Sequence, residues 1–163
     1  MNAHLRYFAV VFFLLILAGL QNARSQSPGA AERNRKGLDY YKEAFYQHIP
    51  KGQMREADRY FDLAVVEFKS AIALNPRYAE AHRNLARLFY VRKQYPQAAE
   101  SYRTLTLLDP GDIDSYVLLA VTYTQMDRYQ DAIQQLETAK LRTTDREVIA
   151  KLDGYIQKAR ERK

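Results

Sequence analysis

The chain has no cysteine and no tryptophan among its 163 residues, and only six glycines and five prolines. Without thiols there can be no disulfides, thiolate metal sites, cysteine nucleophiles or lipidated N-terminal cysteine, so stability must come from apolar packing. With 47% hydrophobic and 27% charged residues, the composition excludes the collagen-like and disordered classes and fits one folded helical domain. Catalytic signatures are missing as well: the sequence has no glycine-rich phosphate loop, no HExxH and no Gly-x-Ser-x-Gly,. Beyond residue 25 the histidines are His48 and His82 alone. Glu43, Glu56, Asp58, Asp62 and Glu67 are scattered beside Lys and Arg, in the pattern of helix-surface ion pairs,. These absences lead to the expectation of no catalytic residue, no metal site and no cofactor.

Residues 1–25 have the pattern of a targeting segment: Arg6, an apolar run from Tyr7 to Ala18, then Ala23-Arg24-Ser25 with small residues where a leader peptidase cuts,. The run is shorter than the roughly 20 apolar residues that span a bilayer comfortably. A signal peptide is expected, with an uncleaved N-terminal anchor as the alternative, and either places the folded part in an exported setting: periplasm, cell envelope or secreted space. Residues 1–25 hold Arg6 and Arg24 and no acid, so the remainder carries +4 where the whole chain carries +6. The signs are interleaved, which argues against nucleic-acid binding and against membrane binding other than through an uncleaved N-terminus. Residues 26–37, QSPGAAERNRKG, are small and polar and are expected to form a flexible linker,.

An internal repeat dominates the rest. Ala79 to Asp112 lies over Ile113 to Arg146 without a gap, pairing His82 with Tyr116, Leu85 with Leu119, Ala86 with Ala120, Phe89 with Tyr123, Tyr95 with Tyr129, Ala98 with Ala132, Tyr102 with Leu136 and Leu105 with Ala139,. Small residues such as Ala86 and Ala98 let two helices approach, and Phe89 and Tyr102 fill the space beside the contact,. These positions resemble the tetratricopeptide-repeat (TPR) family, whose proline after the second helix is matched by Pro110,. The resemblance implies an all-α fold: a right-handed α-α superhelix, or solenoid, of three helix hairpins plus a C-terminal capping helix, covering about residues 38–162. The repeats are expected at 38–78, 79–112 and 113–146, and the cap helix at 145–161.

The first repeat is irregular. Tyr41, Ala44, Phe45 and His48 take the first-helix positions, Gly52 the turn, and Met54, Ala57, Phe61 and Ala64 the second helix, yet Asn75-Pro76 stops that helix seven residues late. Ala64-x3-Phe68-x2-Ala71 repeats the small-aromatic-small signature, so a second helix lengthened by two turns is expected, about Gln53 to Leu74,. Thr144-Asp145-Arg146-Glu147 has the form of a capping box ahead of the last helix,.

The resemblance also implies that the first helices line a concave groove. Carried over by position, the groove receives Lys42 and Tyr46 from repeat one, Arg83, Asn84, Arg87 and Tyr90 from repeat two, and Val117, Leu118, Val121 and Gln125 from repeat three. Arginine forks bind carboxylates bidentately, Asn can bond an extended backbone, and Tyr adds rigid area. The expected ligand is a protein or peptide with an acidic group or C-terminal carboxylate at Arg83 and Arg87, its apolar segment lying on Val117, Leu118 and Val121. Where the clamp of chaperone-binding TPR domains would need cations, this sequence has Asp114, Val117 and Leu118. The function expected is a non-enzymatic adaptor; the alternative is a self-associating structural module using the long helix of repeat one.

Overall fold

A computed structural model describes residues 28–162. The leader pattern of residues 1–25 lies outside the described residues, as do residues 26 and 27. Seven α-helices follow in order: α1 Pro28–Lys42, α2 Met54–Leu74, α3 Ala79–Val91, α4 Tyr95–Leu108, α5 Ile113–Thr124, α6 Tyr129–Lys140 and α7 Arg146–Arg160. Among the described residues there is no strand. Each helix packs on its chain neighbours, pairing α1 with α2, α3 with α4 and α5 with α6, while α7 covers α6. This is a helical-hairpin superhelix in which the described helices pack mainly on neighbouring units,. No described helix is long and apolar enough to cross a membrane.

The turns obey the repeat. The hairpin turns of repeats two and three end their first helices with residues in left-handed backbone, Lys93 at φ 57° and Asp127 at φ 56°. In each, two amides return to the helix: Lys93 N–H to the Tyr90 carbonyl and Gln94 N–H to that of Phe89, then Asp127 to Thr124 and Arg128 to Tyr123,. Between hairpins, the Asn75 and Asp109 side chains accept from the amides of Arg77 and Gly111, each at 3.1 Å, and so make the same turn at the same repeat position,. The cap helix departs in detail from expectation. Its N-cap is Asp145, whose carboxylate accepts from the amides of Glu147 and Val148, while Thr143 takes the Asp145 amide. Thr144 makes no capping box because the helix begins at Arg146, one residue later than that motif requires,.

The first hairpin corrects the sequence reading. Residues 28–37 are not a flexible linker; they form most of α1, with Ala30, Asn34 and Gly37 buried. The reason lies across the hairpin. The late stop of α2 leaves two extra turns bearing Phe68 and Ala71, both fully buried, and an antiparallel partner must extend backwards to cover them. Gly37 makes the approach possible: a Cβ there would stand 2.6 Å from the Phe68 ring. Glu67, expected on the surface, is also buried. Its side chain is 8% exposed and receives both Arg33 and Lys36 at 3.0 Å, which ties α1 to α2. Burial raises the Glu67 pKa, but the hydrogen bonds and charges of Lys36 and Arg33 outweigh it and hold the carboxyl below its ordinary value,.

After Lys42 the first helix winds as a π-helix over Glu43–His48 and closes in a 3₁₀ turn, Ile49–Lys51, before Gly52 at φ 70°. The wider winding rotates these residues out of α-helical register. Phe45, expected inside the hairpin, is therefore 37% exposed, while Ala44 is fully buried. His48 stacks on Tyr60 with centroids 5.0 Å apart and bonds Gln53 at 2.7 Å, and His82 bonds the Pro76 carbonyl at 3.0 Å, so both are packed and hydrogen-bonded side chains.

Two outcomes test this account of α1. Gly37→Ala, although it favours the helix locally, is expected to cost about 1–3 kcal/mol through the Phe68 overlap, read as a lower urea midpoint. Because the folded Glu67 carboxyl titrates below its unfolded value of about 4.3, its contribution is complete above that pH and is lost as pH falls through the folded pKa. Acid unfolding of Glu67→Gln should accordingly start from lower stability at neutral pH and show a weaker dependence on pH.

Candidate functional site

Two separate cavities are lined by the first helices of the repeats, one between α1 and α3 and one between α5 and α7. The first, about 360 Å³, lies between the π-wound end of α1 and α3. Lys42, Tyr46, Asn84 and Arg87 line it together, with Leu38, Tyr41, Phe45 and Phe68 supplying its apolar walls. The aromatic side is organised: Tyr41 stacks on Phe45 at 5.7 Å between centroids, and Tyr46 meets the edge of Phe45 at 5.2 Å. Tyr46 remains 63% exposed. The second cavity, about 180 Å³, is bounded by Val117, Val121, Thr124 and Gln125 of α5, by Leu136, and by Tyr155, Lys158 and Ala159 of α7, with Arg162 beyond that helix.

The ten groove positions therefore divide. Lys42, Tyr46, Asn84 and Arg87 share the first cavity, and Val117, Val121 and Gln125 share the second. Three positions fall elsewhere. Leu118 is half-buried against the main core, and Tyr90 packs there too, edge-on to Tyr95 at 5.5 Å. Arg83 does not join Arg87. Its guanidinium donates at 2.5 Å to Asp112, the residue that precedes α5, where Ser115 also donates to the same carboxylate oxygen. The paired-arginine anchor is thus replaced by one ion pair and one arginine facing the cavity. Glu80, three residues before Arg83, accepts from the Tyr78 hydroxyl at 3.2 Å.

Among the described residues neither Lys42 nor Arg87 forms an ion pair, so two exposed cations border an aromatic wall. Arg87 also lies near the phenols of Tyr41 and Tyr102, whose pKa values it pulls downward against the larger effect of burial. Burial wins at both, pushing Tyr102 up to about 12. These phenols stay neutral at physiological pH and leave the charge of Arg87 uncancelled. Asn84 is oriented from below, its amide donating to Asn34 at 2.9 Å. Asn34 belongs to the segment expected to be a linker and is buried, so α1 also fixes a group in the cavity.

Sequence reasoning missed Phe45 and Tyr41 as cavity residues, because the π-winding is not visible in the repeat pattern. It missed the α7 contribution although a signal existed: Tyr155 falls one repeat length beyond Val121, and Lys158 one beyond Thr124. Among the described residues no group of His, Asp or Glu could hold a metal ion. The arrangement offers cations, aromatic faces and an amide, the chemistry of recognition.

A chain of stacked helix hairpins with a concave face belongs to the class of α-solenoids. The tetratricopeptide-repeat profile matches residues 57–114 and 92–152, more than half of the 163 residues. This chain belongs to the tetratricopeptide-repeat family. No relative was found among curated proteins. Among solved structures, the chain is similar to the TPR2B domain of yeast Sti1 in complex with an Hsp70 peptide, at TM-score 0.63 and 18% identity, covering 84% of this chain and all of that domain. It is also similar to the TPR domain of Arabidopsis OM64, at TM-score 0.59 and 18% identity, covering 80% of this chain and 96% of that one. A chain of the CopN–Scc3 complex matches at TM-score 0.54 and 20% identity, covering 76% of this chain and 68% of that one. At these identities the likeness is one of fold.

The two arginines should separate experimentally. Arg83→Ala is expected to lower stability by about 1 kcal/mol through loss of the Asp112 pair, whereas Arg87→Ala should leave the urea midpoint unchanged.

Proposed function

We propose that this chain is a non-enzymatic adaptor that holds an acidic segment of a partner protein in its concave groove. The observation that carries the reading is the first cavity, where the unpaired cations Lys42 and Arg87 border the exposed aromatics Phe45 and Tyr46. A carboxylate entering there meets two charges that form no ion pair among the described residues, and the adjacent rings offer rigid contact area. Solved relatives in complexes with an Hsp70 peptide and with CopN support a peptide or protein as the occupant. Phe68 of the extra turns of α2 is spent against Gly37 of α1 and is not available as a self-association surface.

The adaptor acts outside the cytosol in this proposal, as a periplasmic, cell-envelope or secreted protein. The support is the leader pattern of residues 1–25, in which Arg6 precedes an apolar run and Ala23-Arg24-Ser25 offers a cleavage site,.

Affinity capture from the native envelope fraction tests the reading. Lys42→Glu/Arg87→Glu should lose the partner by at least about tenfold in recovered amount while keeping the wild-type circular dichroism and urea midpoint. Equal recovery with the double variant would remove the cavity as the binding site.

A further inference from the structure

The second cavity differs from the first in having a floor that is almost wholly apolar and a wall supplied by the capping helix. Val117, Ala120, Val121 and Leu136 make the floor, and Ala159 and Tyr155 close it from α7. Two further features make this more than a seam between helices. Val121 and Tyr155 are 41% and 46% exposed on its rim, so apolar surface faces outward beside a concavity instead of being buried. Lys158 and Arg162 also stand at its edge, and among the described residues neither forms an ion pair. No carboxylate lines the cavity.

Charge decides between occupants. The residues of this chain outside the described ones include an apolar run, Tyr7 to Ala18, but residues 1–27 contain no Asp or Glu and carry Arg6 and Arg24. That segment would set cations against cations. A second copy would bring a net charge of +6 to a positive rim. A partner segment with a bulky apolar side chain between carboxylates satisfies floor and rim together.

We propose that this cavity is a second anchor of the groove, seating a bulky apolar side chain of the bound segment while Lys158 and Arg162 hold carboxylates that flank it. The proposal rests on the adaptor reading and deepens it, giving the cap helix a part in recognition beyond covering the end of the stack. The groove then has two cationic ends separated by a middle that the Arg83–Asp112 pair has neutralised.

The test is fluorescence anisotropy with the purified chain and a labelled peptide, Gly-Ser-Glu-Phe-Glu-Ser-Gly. Two controls replace the central residues by Glu-Ser-Glu and by Lys-Phe-Lys. The Glu-Phe-Glu probe should bind, with each control weaker by about tenfold. Lys158→Glu/Arg162→Glu should weaken the probe by about tenfold, as should Val121→Asp, which puts a carboxylate on the rim at an exposed site. Circular dichroism and the urea midpoint of both variants should match the wild type. Equal binding of the three peptides, indifference to both variants, or no binding at millimolar peptide would overturn the proposal. Sensitivity to Lys42→Glu/Arg87→Glu alone would overturn it too while leaving the adaptor reading intact. A dimer by light scattering that dissociates in the Val121→Asp variant would assign the cavity to a second copy and overturn it.

Discussion

Everything in this molecule depends on how closely two helices of a hairpin can approach. Alanines at the crossings, among them Ala44, Ala64, Ala86, Ala98, Ala132 and Ala139, are 0–2% exposed, and Gly37 carries the same logic further against Phe68. Where backbones come this near, each large neighbour must fit a fixed space, and volume changes in either direction are felt. Close pairing within hairpins and stacking between neighbours consume one side of α1, α3 and α5 and leave the other facing a concavity. The groove is thus a by-product of the packing rule, and its chemistry is free to vary.

Electrostatics then distribute roles within that groove. Three cations in the region look alike in composition and end differently. Arg33 is drawn to buried Glu67 and fastens α1, Arg83 is drawn to Asp112 beside α5, and Arg87 lies beside neutral phenols and forms no ion pair among the described residues. A charge already paired at short range has little left to offer a ligand, whereas an unpaired one beside low-dielectric ring faces has more.

The regular part of the fold was legible because its determinants are local. Two copies aligned without a gap name the small crossing residues of α3 to α6, and Asn75-Pro76 and Asp109-Pro110 mark where helices stop. The irregular first hairpin was half legible. The extra turns of α2 could be read from Ala64-x3-Phe68-x2-Ala71, but their partner could not, because Ser-Pro-Gly and a run of polar residues disguise α1 as a tether. Its buried set is small or polar, Ala30, Asn34 and Gly37, so hydropathy gives no stripe to follow,. At the site, four of the positions carried over from the solenoid, Lys42, Tyr46, Asn84 and Arg87, line one cavity. The spacing did not show the Arg83 ion pair, whose partner is 29 residues away, nor the exposure of Phe45, which a π-turn rotates outward.

The central claim is that the concave face, and no other, meets the partner. Site-specific photo-crosslinking in the native compartment tests it most directly, comparing Tyr46→p-benzoylphenylalanine on the cavity rim with the same replacement at Val66, which is 59% exposed on the outer helix α2. The account predicts a crosslinked partner from position 46 and none from position 66. A partner captured from position 66 and not from 46 would contradict it.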